Sequence, residues 1–240
     1  MIKKLKKDYF TKSRILMSTL IILTATGITL SGILYDQDFL KMLPLYVSLM
    51  VMLFQSNALR IAPLIGSLNS LLYAFVDYSY GLYGSALSAL LISFPLQMLT
   101  FILWTRRKDG ATTLFRKMTP KARILFLLLT ISVYVPCLII NIRMGATLAP
   151  LDTYSFIGVL ATQTLTLFAF IEYTYFSVFG SLVTITMNAL IVKSSPDRLC
   201  FLVFSIYSSI CCIRGAINVH KIHKKQTNDK NISIKSEDVK

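Results

Sequence analysis

Apolar runs long enough to cross a bilayer, separated by short polar breaks, constrain this chain more than any other feature. They fall near residues 15–34, 42–59, 61–80, 82–104, 124–140, 152–173, 174–192 and 199–217. A helix crossing a hydrocarbon core of ~30 Å needs ~20 mainly apolar residues, and each run approaches that length. The chain of 240 residues is 55% hydrophobic and 15% charged, whereas soluble proteins carry about a quarter charged residues. Long continuous runs, in place of short alternating ones, exclude a transmembrane β-barrel. The expected fold class is all-α integral membrane, with about eight transmembrane helices.

The charges are crowded into three blocks: Lys3 to Arg14, Arg106 to Arg123 and His220 to Lys240. They produce a formal net charge of +14, but no basic face with interleaved aromatics accompanies it, as nucleic-acid binding would require. Lys and Arg instead concentrate on the cytoplasmic side of membrane proteins. Eight crossings place all three blocks on that side, so the expected address is the cell inner (plasma) membrane, multi-pass, with both termini cytoplasmic. A basic start before an apolar core also fits a signal peptide. Because the run is long and SGILYDQ offers no small-x-small cleavage site, a signal anchor or true span is expected. The last residues, KIHKKQTNDKNISIKSEDVK, have almost nothing to bury and are expected to be disordered.

Cys137, Cys200, Cys211 and Cys212 lack metal-ligand spacing and read as small buried hydrophobes. His220 and His223 fall in the polar tail. No span holds a histidine or a close pair of acids, which general acid–base chemistry would use, so an enzyme is not expected.

Residues 65–75 read IGSLNSLLYAF and residues 179–189 read FGSLVTITMNA. Gly66-Ser67-Leu68 thus recurs as Gly180-Ser181-Leu182, and the same offset lays Leu53-Phe54 on Leu167-Phe168. A repeat of this kind implies two three-helix units. A unit with three crossings ends on the face opposite its start, so a second copy in the same orientation needs one more crossing between them. The expected organisation is a basic N-terminus and extra helix at 1–41, a first repeat at 42–104 and a basic cytoplasmic loop at 105–123. A linker helix with outer loop follows at 124–151, then a second repeat at 152–217 and a disordered basic tail at 218–240. Parallel repeats about an axis along the membrane normal are a recurring transporter plan, with the substrate held where the halves meet.

Polar side chains inside spans mark function, because hydrocarbon penalises them. Asn69, Tyr73 and Asp77 recur at steps of four on one face of the third span. Ser93 and Gln97 do the same in the fourth, beside Pro95. The sixth brings Thr162, Gln163, Thr164 and Thr166, and the seventh Ser181, Thr184 and Asn188. Each is a candidate ligand contact or, alternatively, interhelical glue. Amides at Asn69 and Gln97 offer a ligand both donors and acceptors. Aromatic Tyr73, Phe176 and Phe179 offer faces on which a ligand ring could stack.

At this point the chain resembles the PnuC-type vitamin transporters. The resemblance rests on Gly66-Ser67-Leu68-Asn69 with Leu72-Tyr73, then Gly81-Leu82-Tyr83-Gly84, Pro95-Leu96-Gln97, Leu103-Trp104 and Pro150-Leu151-Asp152. It covers about Leu43 to Ile217 and implies a SWEET-like bundle of three, one and three helices. It implies facilitated diffusion of nicotinamide riboside, with thiamine or riboflavin as alternatives, no cofactor, and a functional link to a cytosolic substrate kinase. The expected substrate contacts are Asn69, Tyr73, Ser93, Gln97, Gln163, Phe176, Phe179 and Asn188. The family's W-x-x-W-x-x-x-N stands here as Phe176, Phe179 and Val183, which is expected to make the wall opposite Asn69 less polar and to weaken nicotinamide riboside binding. A homo-oligomer is a further expectation. A substrate-free scaffold or accessory subunit is the reading from another class. Asp77, Asp152 and Glu172 near span ends leave a proton route open.

Overall fold

The computed structural model of the chain describes residues 2–79, 89–143, 145 and 148–237. Among them are eight α-helices. These are α1 (Ile2–Leu34), α2 (Phe39–Ser56), α3 (Ala62–Ser79), α4 (Phe94–Arg106), α5 (Pro120–Arg143), α6 (Ala149–Leu167), α7 (Tyr173–Ser194) and α8 (Leu199–Glu237). A π turn, Ala89–Ser93, leads into α4. Strands β1 (Lys108–Asp109) and β2 (Thr112–Thr113) form a small antiparallel hairpin after it, with Gly110 in the left-handed region at the turn. The expected Gly81-Leu82-Tyr83-Gly84 turn lies outside the described residues.

Among the described residues, six helical segments are long and apolar enough to cross a membrane. Helix α3 qualifies only as a shorter apolar helix, Ala62–Val76, and α6 falls outside the set. The residues that dilute their hydropathy, among them Asn69, Ser70, Thr162 and Gln163, face the interior described below.

Packing closes six helices into a ring. Helix α2 packs on α3 and α8, α3 on α4, α4 on α6, α6 on α7, and α7 on α8. Units α2–α4 and α6–α8 therefore meet at two equivalent seams, α4 with α6 and α8 with α2. Helix α1 lies outside against α8 and α2, and the linker α5 lies outside against α6. This is the three-plus-one-plus-three arrangement with an extra N-terminal helix.

The register of the repeat differs from the one the Gly-Ser-Leu phrase implies. Two residues beyond the end of each first helix stands a buried alanine with positive φ, Ala58 at 53° and Ala169 at 57°. Each alanine stands four residues before the next helix begins, at Ala62 and Tyr173. The turns and helix starts thus align three residues away from the phrase. Asn69 corresponds to Gly180, and Val183 is not its counterpart. The boundary expected at 173/174 lies instead at 168–172, where the left-handed alanine turns the chain.

One end of the ring is bound by a belt. The hairpin and the segment after it run between the two turns: Arg60 N–H donates to Ala111 O, Arg116 N–H to Ala169 O and Ile171 N–H to Arg116 O. Beneath it Trp104, Phe115, Leu165, Ile171, Tyr173 and Val219 form a buried cluster. Glu172 Oε1 accepts from Arg123 Nε at 2.8 Å, Arg123 Nη2 at 2.7 Å and Met118 N–H at 3.1 Å.

Helix α8 corrects the expectation of an unstructured tail from residue 218. Val219, Ile222 and Gln226 recur at helical spacing, and the first two join the cluster. The Gln226 amide donates to Asp109 Oδ2 and Thr113 O, and accepts from Phe115 N–H. Tail residues thus pack because the belt supplies a surface that composition alone does not reveal, and the helix runs on to Glu237.

Arg123→Ala should leave the Glu172 carboxylate, only 7% exposed, with one backbone donor. The expected loss is about 1–3 kcal/mol, the cost of an unsatisfied buried group. Thermal unfolding in detergent measures it, with Arg123→Lys expected to fall between.

Candidate functional site

The ring encloses a cavity of about 460 Å³ to which all six of its helices contribute. On the first unit, Asn69 and Tyr73 share a face of α3 because they stand four residues apart. Asn69 Nδ2 donates to Ser48 Oγ of α2 at 2.8 Å, and that hydroxyl lies 3.3 Å from Tyr73 OH. Gln97 of α4 donates from Nε2 to Ser70 Oγ at 3.0 Å, and Ser70 donates in turn to Gly66 O. The Gln97 side chain lies directly over Gly66, where an added Cβ would collide with its Oε1.

The second unit is built differently. Thr162, Thr164, Thr166, Ser181 and Thr184 each donate to a carbonyl one turn back on their own helix. Most of these hydroxyls are satisfied locally, while Ser181 also pairs with Cys212 of α8 and so links two helices. Gln163 also lines the cavity. Among the described residues, seven buried side-chain atoms lack a hydrogen-bond partner; Asn69 Oδ1 and Gln163 Oε1 are the two on this cavity, while Arg107 Nη1, Glu172 Oε2, Ser209 Oγ, Arg214 Nη1 and His223 Nδ1 lie elsewhere. Buried polar atoms are overwhelmingly paired in folded proteins, so two orphan acceptors in one cavity mark a place for donors from outside the chain.

No described residue lining the cavity carries a formal charge. Its aromatic faces are Tyr73, Trp104, Tyr154 and Phe176. At the belt end Trp104 donates from Nε1 to Thr166 O at 2.8 Å and meets Phe115 edge to face at 5.7 Å. It is both a wall of the cavity and part of the buried cluster under the belt.

Of the residues expected from the sequence, the cavity brings together Asn69, Tyr73, Ser93, Gln97, Gln163 and Phe176. Phe179 stands elsewhere: it is 56% exposed and lines a separate groove. Asn188 donates to Ser205 Oγ, tying α7 to α8 outside the cavity lining. Val183 does not line the cavity either, so the expected apolar wall opposite Asn69 is corrected by the three-residue shift in register. Asp152 accepts from Asn141 Nδ2 and Glu172 belongs to the belt; neither reaches the cavity. Tyr154, Gly158 and Ser155 line it without having been expected. Tyr154, Gly158 and Thr162 recur at steps of four, a polar and small face that periodicity makes visible.

Two equivalent three-helix units around a central, neutral, amide-lined cavity define a helical membrane transporter. The chain belongs to the family described as nicotinamide mononucleotide transporter, whose model matches residues 38–218. Among solved structures, the crystal structure of the vitamin B3 transporter PnuC is similar with a TM-score of 0.72 at 18% identity. The match covers 88% of this chain and 92% of that one, and at this identity it is a likeness of fold. No curated protein matches the sequence.

The two repeat glycines should respond differently to substitution. Gly66→Ala should push Gln97 off Ser70, a loss of ~0.5–1.5 kcal/mol for one hydrogen bond. At Gly180 the nearest atom to an added Cβ is Tyr154 Cε1 at 4.0 Å, an ordinary contact. Gly180→Ala should hold or raise stability, since Ala exceeds Gly by ~1 kcal/mol in a helix. Melting of both variants in detergent checks the contrast.

Proposed function

We propose that the protein moves a vitamin-sized, flat heteroaromatic compound across the membrane by facilitated diffusion, with nicotinamide riboside the first candidate. The observation that carries this reading is the pair of orphan acceptors, Asn69 Oδ1 and Gln163 Oε1, on opposite units of a cavity without charge. Ribose hydroxyls and a carboxamide N–H₂ are donors of the kind these oxygens lack. A pyridinium ring is held by aromatic faces without a counter-charge, which Tyr73, Tyr154 and Phe176 supply. A phosphate would enter with about two negative charges and meet no cation on the wall, which favours the nucleoside over its mononucleotide. Thiamine and riboflavin also offer ring and hydroxyl donors and remain the alternatives. A substrate-free scaffold would gain nothing from two unpaired buried oxygens.

Passage requires the belt end to open, separating Trp104 from Phe115 and loosening Arg123 from Glu172, while the units rock about their seams. Net movement then follows the gradient, and a cytosolic kinase traps the product. The protein sits in the cell inner (plasma) membrane with both termini cytoplasmic, a placement supported by the basic residues of the belt, Arg106, Arg107, Lys108, Arg116 and Lys117, at one end of the bundle. Assembly as a homo-oligomer belongs to the same proposal.

Gln163→Leu separates binding from folding. It removes an acceptor that no described residue uses, so stability should hold or rise, while nicotinamide riboside affinity should fall by ~1–3 kcal/mol, the cost of stranding a buried partner. Calorimetric titration against nicotinamide riboside, its mononucleotide, thiamine and riboflavin tests the reading. No saturable binding by any of them would favour the scaffold. For topology, a cytoplasm-active reporter fused after Lys240 should be active and a periplasm-active one silent; the reverse defeats the orientation.

A further inference from the structure

The central cavity also has a thin wall toward the bilayer. Outside it, where α5 passes α6 and α7, lies an apolar groove of about 380 Å³. Tyr154, Gly158 and Phe176 line both spaces, so single side chains divide them. The Tyr154 ring lies in a notch made by glycines on facing helices. A Cβ on Gly158 would stand 3.1 Å from Tyr154 Cε1, and one on Gly180 would stand 4.0 Å from the same atom. On the groove side Phe179 meets the ring edge to face, with centroids 5.1 Å apart. No hydrogen bond among the described residues holds the Tyr154 hydroxyl.

The groove's own chemistry names its occupant. Thr130 donates to Phe126 O, Tyr134 donates to Pro150 O, and Tyr175 pairs with His220 Nε2. Every lining hydroxyl except that of Tyr154 is therefore already engaged, and the remaining lining is hydrocarbon or aromatic. The flanking helix α5 has no buried residue and the highest mean hydropathy of the spans, 2.4. A lipid acyl chain fits such a surface, because at this depth hydrocarbon is the surrounding solvent.

We propose that Tyr154 is a lateral gate: its ring, seated between Gly158, Gly180 and Phe179, separates the central cavity from a lipid-filled groove, and swinging it aside admits flat apolar ring compounds dissolved in the bilayer. Opening breaks no hydrogen bond and costs one edge-to-face contact. The entrance depends on the membrane-spanning bundle and not on which compound crosses it.

Trp104 is the single tryptophan of the chain, is buried, and lines the cavity, so its fluorescence reports what enters. The full chain in lipid nanodiscs is titrated with a doxyl-nonane nitroxide, which resides in the bilayer, and separately with acrylamide, which resides in water. Wild type, Tyr154→Phe and Ile139→Ala, a lipid-facing control on α5, should show weak nitroxide quenching. Tyr154→Ala should raise it several-fold with little change for acrylamide. Phe179→Ala, at an exposed position that folding tolerates, should raise it in the same direction and serves where Tyr154→Ala does not fold. Nitroxide quenching at the wild-type level in the folded gate variants overturns the proposal. An equal rise for acrylamide, or an equal rise in Ile139→Ala, overturns it as well, since either means general loosening.

Discussion

A polar atom buried in a bundle that spans hydrocarbon finds its partner inside the protein or goes without. This constraint sorts the polar residues of the chain into two groups. The hydroxyls of Thr162, Thr164, Thr166 and Thr184 turn back onto their own helices, which leaves them indifferent to the neighbouring unit. The amides of Asn69 and Gln97 reach across to other helices and tie α2, α3 and α4 into one wall. Of the oxygens left over, Asn69 Oδ1 and Gln163 Oε1 lie where the ring leaves room for a ligand, whereas Glu172 Oε2 and Ser209 Oγ lie outside the cavity.

The two ends of the ring are not alike. At one end a single segment between the repeats hydrogen-bonds to the turn of each, and α8 reaches over it with Gln226. Left-handed backbone costs about 1–2 kcal/mol for a non-glycine residue, yet both turns use alanine there. Small size explains the choice: Ala58 and Ala169 are buried under the belt among Trp104, Phe115 and Leu165, where a larger side chain would not fit. The belt thus couples the two units to each other and to the floor of the cavity, so an opening at that end must disturb all three together.

Much of the site was legible along the chain, for a physical reason. An amide in an apolar run is costly wherever it points, so Asn69, Gln97 and Gln163 announce themselves. Aromatic residues do not, since a ring is equally at home against lipid, in a core or against a ligand. Phe176 faces the cavity and Phe179, three residues on, faces the groove; Tyr154, which divides the two spaces, stands out in no local pattern except its spacing from Gly158. Asn188 shows the converse, an amide whose partner proved to be a serine on the next helix.

The sequence by itself determined the membrane-spanning class, the count of helices and the plan of two units joined by a linker, because hydropathy is a sum over neighbouring residues and needs no knowledge of the fold. It also placed polar faces on the third and fourth spans through helical periodicity. Only the tertiary structure decided the register between the units, which exchanged Val183 for Gly180 opposite Asn69. Only it decided that the tail beyond residue 218 packs as helix, because Val219, Ile222 and Gln226 find their partners on a loop more than a hundred residues earlier in the chain. Those outcomes depend on which surfaces meet, and no local sum over the sequence contains that information.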